Sequence, residues 1–445
     1  MRVRDLSISI GIVLGVAAGA RAQGVDHSQH QPPKAAATVV DLPHQREGSG
    51  TSWLPDETPM YVVHGEYRGW ELMGHGSLFL QYLHETGDRG NEQVGSVNWA
   101  MGMARRPVGQ GRLAVRAMLS VEPLTIGGCG YPDLLASGEL CDGAPIVDRQ
   151  HPHDLFMELG AQYDRPLTPK LGLQLYGSLA GEPALGPVAF PHRISAMPNP
   201  LAPLSHHWLD ATHIAYGVAT GGVYTHHWKI EGSIFNGREP DDERFDFDFG
   251  ALDSFSGRIW FMPTARWALQ LSGGHLAEAE EAHETDARVD VDRVTASATY
   301  HHPFREGSSI WASTIGWGRN TEEDESTNFF IAETNLTFDE QDTYFGRLEV
   351  GGKSAHDLDL HDVEDVFTVA KLQAGYVRYF EEWGSLKPGI GGSLSMSLVP
   401  TALDAVYGQR ATFGFGVFLT LRPAAMAMTT HTTHPGQPVH GGSHR

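Results

Sequence analysis

An all-β chain closed as a single transmembrane antiparallel β-barrel of about sixteen strands is the fold this sequence predicts. Three observations point to it. Apolar and polar residues alternate with a period of two from residue 70 to residue 421, short turns take turns with long polar loops, and aromatic residues gather near the ends of the alternating segments.

The alternation is plain in GRLAVRAMLSVE, where Leu113, Val115, Ala117, Leu119 and Val121 share one face and Arg112, Arg116, Ser120 and Glu122 the other. The stretch DRQHPHDLFMELGAQYD repeats it, with Leu155, Met157, Leu159, Ala161 and Tyr163 opposite Asp154, Glu158, Gln162 and Asp164. A soluble sandwich also alternates, so the connections decide. Short turns such as RRPVGQG, DRPLTPK, YTHHW, MPTAR, HPFREGS, FDEQD and FEEWGS alternate with long loops at 86–93, 123–152, 181–209, 238–253, 277–288, 319–326, 352–364 and 399–407. That rhythm belongs to outer-membrane barrels, whose long loops face outward and whose short turns face the periplasm. Strands are expected at 70–85, 94–106, 111–122, 154–165, 170–180, 211–224, 228–237, 254–262, 267–276, 290–302, 309–318, 327–337, 342–351, 365–379, 388–398 and 409–421. An even number closes the sheet without a free edge and returns both termini to the periplasmic side. Tyr163, Tyr176, Tyr224, Trp228, Trp267, Tyr300, Trp317, Tyr344, Tyr376 and Tyr379 are the expected interfacial girdles.

The first residues set the compartment. MRVRDLS is basic, ISIGIVLGVAAGA is apolar but shorter than the roughly 20 residues a spanning helix needs, and Ala20-Arg21-Ala22 fits signal cleavage before Gln23. The expected organisation is a signal peptide at 1–22, an unstructured histidine-containing tail at 23–58, the barrel at 59–423 and an unstructured histidine-rich tail at 424–445. The formal net charge is −22, which argues against a nucleic-acid partner. Cys129 and Cys141 are the chain's 2 cysteines, and in an exported protein a disulfide closing one loop is the simple reading.

The stretches DRQHPHDLFMELG, HRISAMPNPLAPLSHHWLDATHIAYG and EGSIFNGREPDDERFDFDFGALDSFSGR resemble a group of Gram-negative outer-membrane proteins without an assigned activity that often stand beside copper-handling proteins. The resemblance runs from about Thr51 to Pro423. It implies an envelope location and a link to metal, and it brings no catalytic residues. The chain departs from barrels in general at its end, where ATFGFGVFLTLRP is followed by further residues rather than closing on an aromatic.

Two features carry the chemistry. The inward faces mix both charges: Arg112, Arg116, Glu158, Asp164, Gln174, Lys229, Glu231, Arg258, Arg347, Glu349 and Lys371 fall on lumen positions. They predict a polar channel with a mixed-charge constriction, or an ion-pair network that fills the barrel. Histidine is the second feature, with 24 in the chain. His27, His30 and His44 precede the barrel, and His431, His434, His440 and His444 follow it, in tracts suited to capturing divalent metals through neutral imidazole.

Other histidines crowd one rim. Straight parity turns His151 and His153 outward, although Pro152 interrupts it. Small residues at Ala215, Gly217 and Ala219 place His213 on the lumen side, with Ile214, Tyr216 and Val218 toward lipid. If Arg112 pairs with Asp164, then Glu122 faces Asp154, and two carboxylates so close call for a proton or a cation. The expected rim site therefore uses Glu122, Asp154 and His213, with His207 and His153 as loop ligands, for copper or zinc; the competing reading is a polar cluster that pins the loops.

The function expected from the sequence is an outer-membrane barrel that passes or binds small solutes, transition-metal cations first among them, in contact with lipid and with a homotrimer as the candidate assembly. It is not expected to be an enzyme. A rim hydrolase drawing on Ser205 or Ser195 with His207 and Asp210 is the alternative class, and a structural or adhesive barrel is the third. The acidic run from Asp241 to Asp248 reads as a solvated loop or a calcium site.

Overall fold

The computed structural model describes residues 42–281, 288–322, 325–360, 363 and 365–426. The signal segment and the histidines His27, His30, His431, His434, His440 and His444 lie outside the described residues. Strands β1 to β7 are Val63–Tyr67, Trp70–Glu85, Glu92–Val108, Gly111–Leu119, Tyr131–Cys141, Ala144–Gln150 and Phe156–Thr168. Strands β8 to β13 are Leu171–Gly181, Ala215–Tyr224, Trp228–Asn236, Ser254–Thr264, Trp267–Glu281 and Arg288–Phe304. Strands β14 to β19 are Ser309–Glu322, Glu325–Phe338, Asp342–Ser354, Val366–Tyr379, Leu386–Leu398 and Ala411–Pro423. All but β1, β5 and β6 close an antiparallel barrel of 16 strands, sealed where β19 pairs with β2.

The alternation works as a lipid-facing sheet requires. Along β11, Ser256, Arg258 and Trp260 are buried while Phe255, Ile259 and Phe261 stand 58%, 46% and 49% exposed on the outer face. Removing such a side chain from water into lipid contributes about 1.5–3 kcal/mol, so the outer apolar band is what fixes the barrel in a membrane. Trp228, Trp267, Tyr344 and Tyr376 lie on that outer surface, but Tyr176, Tyr224 and Tyr379 are buried inside and do not belong to a girdle. Tyr61 bridges to Ala425, so the chain enters and leaves the barrel at the same short-turn end.

Three inserts occupy the lumen. The first is the segment from Leu42 to Thr58, expected as tail. Its Trp53 and Leu54 pack with Val188, Tyr224 and Trp260, and its backbone carbonyls satisfy lumen cations: Gly50 O accepts from Arg116 (2.7 Å) and Thr51 O from Lys229. Buried cations need such acceptors, which is why a stretch rich in Gly, Ser and Thr folds here. Gly50 is required: its φ is +51°, and a Cβ there would stand 2.7 Å from that of Glu182. The second insert is the β5–β6 hairpin, whose Leu134 and Leu135 pack on Phe329, Val369 and Tyr407. The disulfide Cys129–Cys141 ties its base. The third is residues 182–213, pinned by Arg193 to Glu333 of β15 (2.8 Å) and by Ser205 to Glu349 of β16 (2.8 Å).

Candidate functional site

The lumen charges lie in pairs within this packing. Arg112 meets Glu47 (2.9 Å), Arg116 meets Glu158 (3.2 Å), Lys229 and Arg258 share Glu231 (3.3 and 2.9 Å), and Arg347 meets Glu333 (3.2 Å). Asp164 accepts from Gln162 (2.7 Å) and Gln174 (3.0 Å), and Lys371 bridges Glu85 and Asp133. Lys229 is 0% exposed and Arg258 1%. In this structure, ion pairs and inserts fill the lumen where an open constriction was the first expectation.

At the long-loop end the strands release the residues of the rim. Arg112 does stand opposite Asp164, but a bulge between Met118 and Leu119 puts Phe156 opposite Leu119. The chain then leaves the sheet for a one-turn helix, Glu122–Thr125, so Glu122 and Asp154 do not face each other. Glu122 Oε2 accepts from the backbone N–H and from Nδ1 of His153, both at 2.9 Å. Asp154 accepts from the Tyr216 hydroxyl at 2.7 Å and lies 3.5 Å from Arg244; burial and the neighbouring Glu139 push its pKa up to about 6. Residues 151–154 belong to no strand, and His151 and His153 are buried rather than turned to lipid. On β9 the parity is also the reverse of expectation: Tyr216, Val218 and Thr220 are buried and Ala219 is exposed.

What assembles is a cluster of five buried histidines. Ring centroids are separated by 5.3 Å for His153 and His213, 5.0 Å for His206 and His213, 5.4 Å for His206 and His207, and 5.5 Å for His151 and His207. Phe190 stacks on His153 and packs edge-on against His206 and His213. Every Nδ1 meets an acceptor: Glu139 for His151 (3.0 Å), Glu122 for His153, Asp210 for His206 (2.8 Å), Glu239 for His207 (3.1 Å) and the Asp210 carbonyl for His213 (2.8 Å). These acceptors put the proton on Nδ1 and leave the Nε2 lone pair as the ligand, the arrangement found behind metal-binding histidines. The Nε2 atoms of His151, His207 and His213 are buried without a hydrogen-bond partner.

Burial holds His206 at about 4, His207 at about 3 and His213 well below the usual histidine range, so these three are neutral near pH 7. Burial also acts on His151, but the Glu139 carboxylate beside it leaves its pKa raised. The structure thus joins Glu122, His153, His207 and His213, turns Asp154 toward Tyr216 and Arg244, and adds His151, His206, Glu139, Asp210 and Glu239. The signal for His206 was its place four residues before Asp210 in SHHWLD, one helical turn apart.

Among the described residues no three nitrogen or carboxylate ligands of this cluster stand within 4.8 Å of one another. The groups that do are Cys129, Cys141 and Asp142, whose sulfurs form the disulfide, and the acidic trio Asp241, Asp246 and Asp248. The serine constellation has other partners: Ser205 Oγ donates to Glu349, Ser195 Oγ to Glu333, and His207 pairs with Glu239.

No protein-family model matches the chain, and no curated protein matches it. Three solved outer-membrane barrels are similar to it in architecture. An anion-selective porin from Comamonas acidovorans has 10% identity and a TM-score of 0.49, over 80% of this chain and 100% of the porin. OmpF of Salmonella typhi, in complex with daunomycin, has 10% identity and a TM-score of 0.48, over 81% and 100%. OmpT of Vibrio cholerae has 9% identity and a TM-score of 0.47, over 81% and 100%.

Proposed function

We propose that this chain is an outer-membrane barrel that binds divalent transition-metal cations, copper or zinc, in the histidine cluster at the long-loop end of its lumen. The observation that carries the reading is the five buried imidazoles, each anchored through Nδ1, with three Nε2 atoms left unpartnered. An unpaired buried acceptor costs about 1–3 kcal/mol, and an ion replaces that cost with a ligand bond. No three of these ring nitrogens and carboxylates stand within ligand reach of one another, so binding requires the side chains to rotate, which suits a site that accepts and releases an ion rather than a closed structural cage. Glu122, Glu139 and Asp210, each in contact with the Nδ1 of a ligand ring, supply compensating negative charge.

The test is calorimetric titration of Zn²⁺ and Cu²⁺ into full-length protein, alongside His206→Ala/His213→Ala and a variant with His431, His434, His440 and His444 replaced by alanine. Loss of the tightest binding event in the first variant and its retention in the second are expected. Binding that follows the tail histidines and ignores His206 and His213 would make the cluster a structural pin for the loops.

A further inference from the structure

A second group of histidines lies deeper in the wall, and its neighbours are sulfurs. His75 on β2 stands opposite Met101 on β3, which stands opposite Met118 on β4. All three point inward, in the row that continues to Glu158 on β7. The insert lowers His192 onto this row from a short 3-10 turn, Phe190–His192. His75 Nε2 lies 3.0 Å from Met101 Sδ, and His192 Nε2 lies 3.4 Å from Met118 Sδ. Trp99 holds both rings, edge-on to His75 at 5.1 Å and tilted over His192 at 4.9 Å, and the two imidazoles are 5.3 Å apart. Met101 and Met118 are buried at 3% exposure each, whereas His75 and His192 are half-buried.

We propose that His75, Met101, Met118 and His192 form a binding site for a soft monovalent metal cation, Cu(I) or Ag(I). Two ligands of one tetrahedral ion, with nitrogen and sulfur bonds of about 2.0 and 2.3 Å, stand about 3.5 Å apart; His192 and Met118 at 3.4 Å match that value, and His75 and Met101 at 3.0 Å need to open by about half an ångström. Thioether with imidazole is the donor set that selects soft ions over Zn²⁺ or Ca²⁺. Charge points the same way. The two thioethers carry no charge, and Arg116, two residues from Met118 on β4, is matched by Glu158. A divalent ion there would lack a counter-charge that a monovalent ion needs less. Met157 packs in the same cluster as Met101 and Met118, so a further thioether lies at hand. The site shares no ligand with the five-histidine cluster, and either can fail alone.

The experiment uses full-length protein in detergent. Cu(I) is titrated against a competing chelator, and X-ray absorption is recorded at one equivalent. Both cysteines are in the disulfide, so a sulfur bonded to the metal reports methionine. The site predicts a mixed nitrogen and sulfur shell, and at least tenfold weaker Cu(I) and Ag(I) binding in Met101→Leu/Met118→Leu, a swap that conserves volume. Met262→Leu, in a separate core cluster, leaves binding unchanged. Zn²⁺ affinity is also unchanged in the double variant. A wild-type shell of nitrogen alone, or a double variant that binds as tightly as wild type, overturns the proposal and leaves the N···S contacts as packing. If the double variant does not fold, judged by loss of heat-modifiable migration, the wild-type shell decides.

Discussion

Arg193→Met tests how far the 182–213 insert is a separately releasable unit whose hold on the barrel depends on one of its cations. Arg193 is 1% exposed and reaches Glu333 on β15 (2.8 Å), Asp210 within the insert (2.6 Å) and the Val188 carbonyl (3.0 Å). Removing one partner of a buried ion pair costs about 3–5 kcal/mol. Both carboxylates keep another partner, Arg347 for Glu333 (3.2 Å) and His206 for Asp210 (2.8 Å), so the lower end, about 3 kcal/mol, is the right figure. The barrel strands do not depend on this contact, and the loss falls on insert opening, whose population rises roughly a hundredfold. Hydrogen exchange with mass spectrometry reads it. The amides of Ala184, Gly186 and Phe190 donate to Ser233, Ser272 and Asp210, and they should exchange roughly a hundredfold faster while β13 to β16 keep their rates. Unchanged protection in 184–213, or equal acceleration in the strands, would refute the idea of a separately releasable insert.

Cys129→Ser/Cys141→Ser is expected to cost the β5–β6 hairpin about 3 kcal/mol of order, seen as faster proteolysis within 129–150; thiol labelling of unreduced, denatured wild type finds none, and two reactive thiols would contradict the bond. Burial pushes Glu182 up to about 7 despite Arg258 beside it. A raised carboxyl pKa contributes stability that is full below the ordinary value near 4.5 and is lost as pH rises through about 7. The Ala184 and Gly186 amides, corrected for intrinsic chemistry, should therefore open more at pH 8 than at pH 5, and Glu182→Gln should flatten the profile; a flat wild type contradicts it. Ile259→Arg on the outer face of β11 is expected to destabilise the barrel by about 2–4 kcal/mol if it sits near the midplane, measured by denaturant unfolding in lipid vesicles, and no change would remove β11 from the lipid face.

The strands were legible because a lipid-facing sheet enforces period two and each short turn fixes the next register. Trp70–Glu85 matches the expected 70–85, and Arg112 pairs with Asp164 as the shared turn requires. What fills the barrel was not legible. Residues 42–58 have the composition of a tail, and partners distant in sequence, the lumen cations Arg116, Lys229 and Arg258 and the apolar cluster around Trp53, supply the reason for them to fold. On β9, side-chain size misled. A packed lumen accepts Tyr216 and Val218, while lipid accepts Ala219, so bulk does not mark the outer face once inserts fill the inner one. The better guide is the residue that breaks its face's rule. Met118 shares parity with Arg112 and Arg116 on β4, and Met101 faces it across the register from β3, so a thioether placed there for lipid contact would have fallen one position away. That exception on the polar parity of β4 marks the pair of soft donors, next to a loop histidine that no strand periodicity could have located.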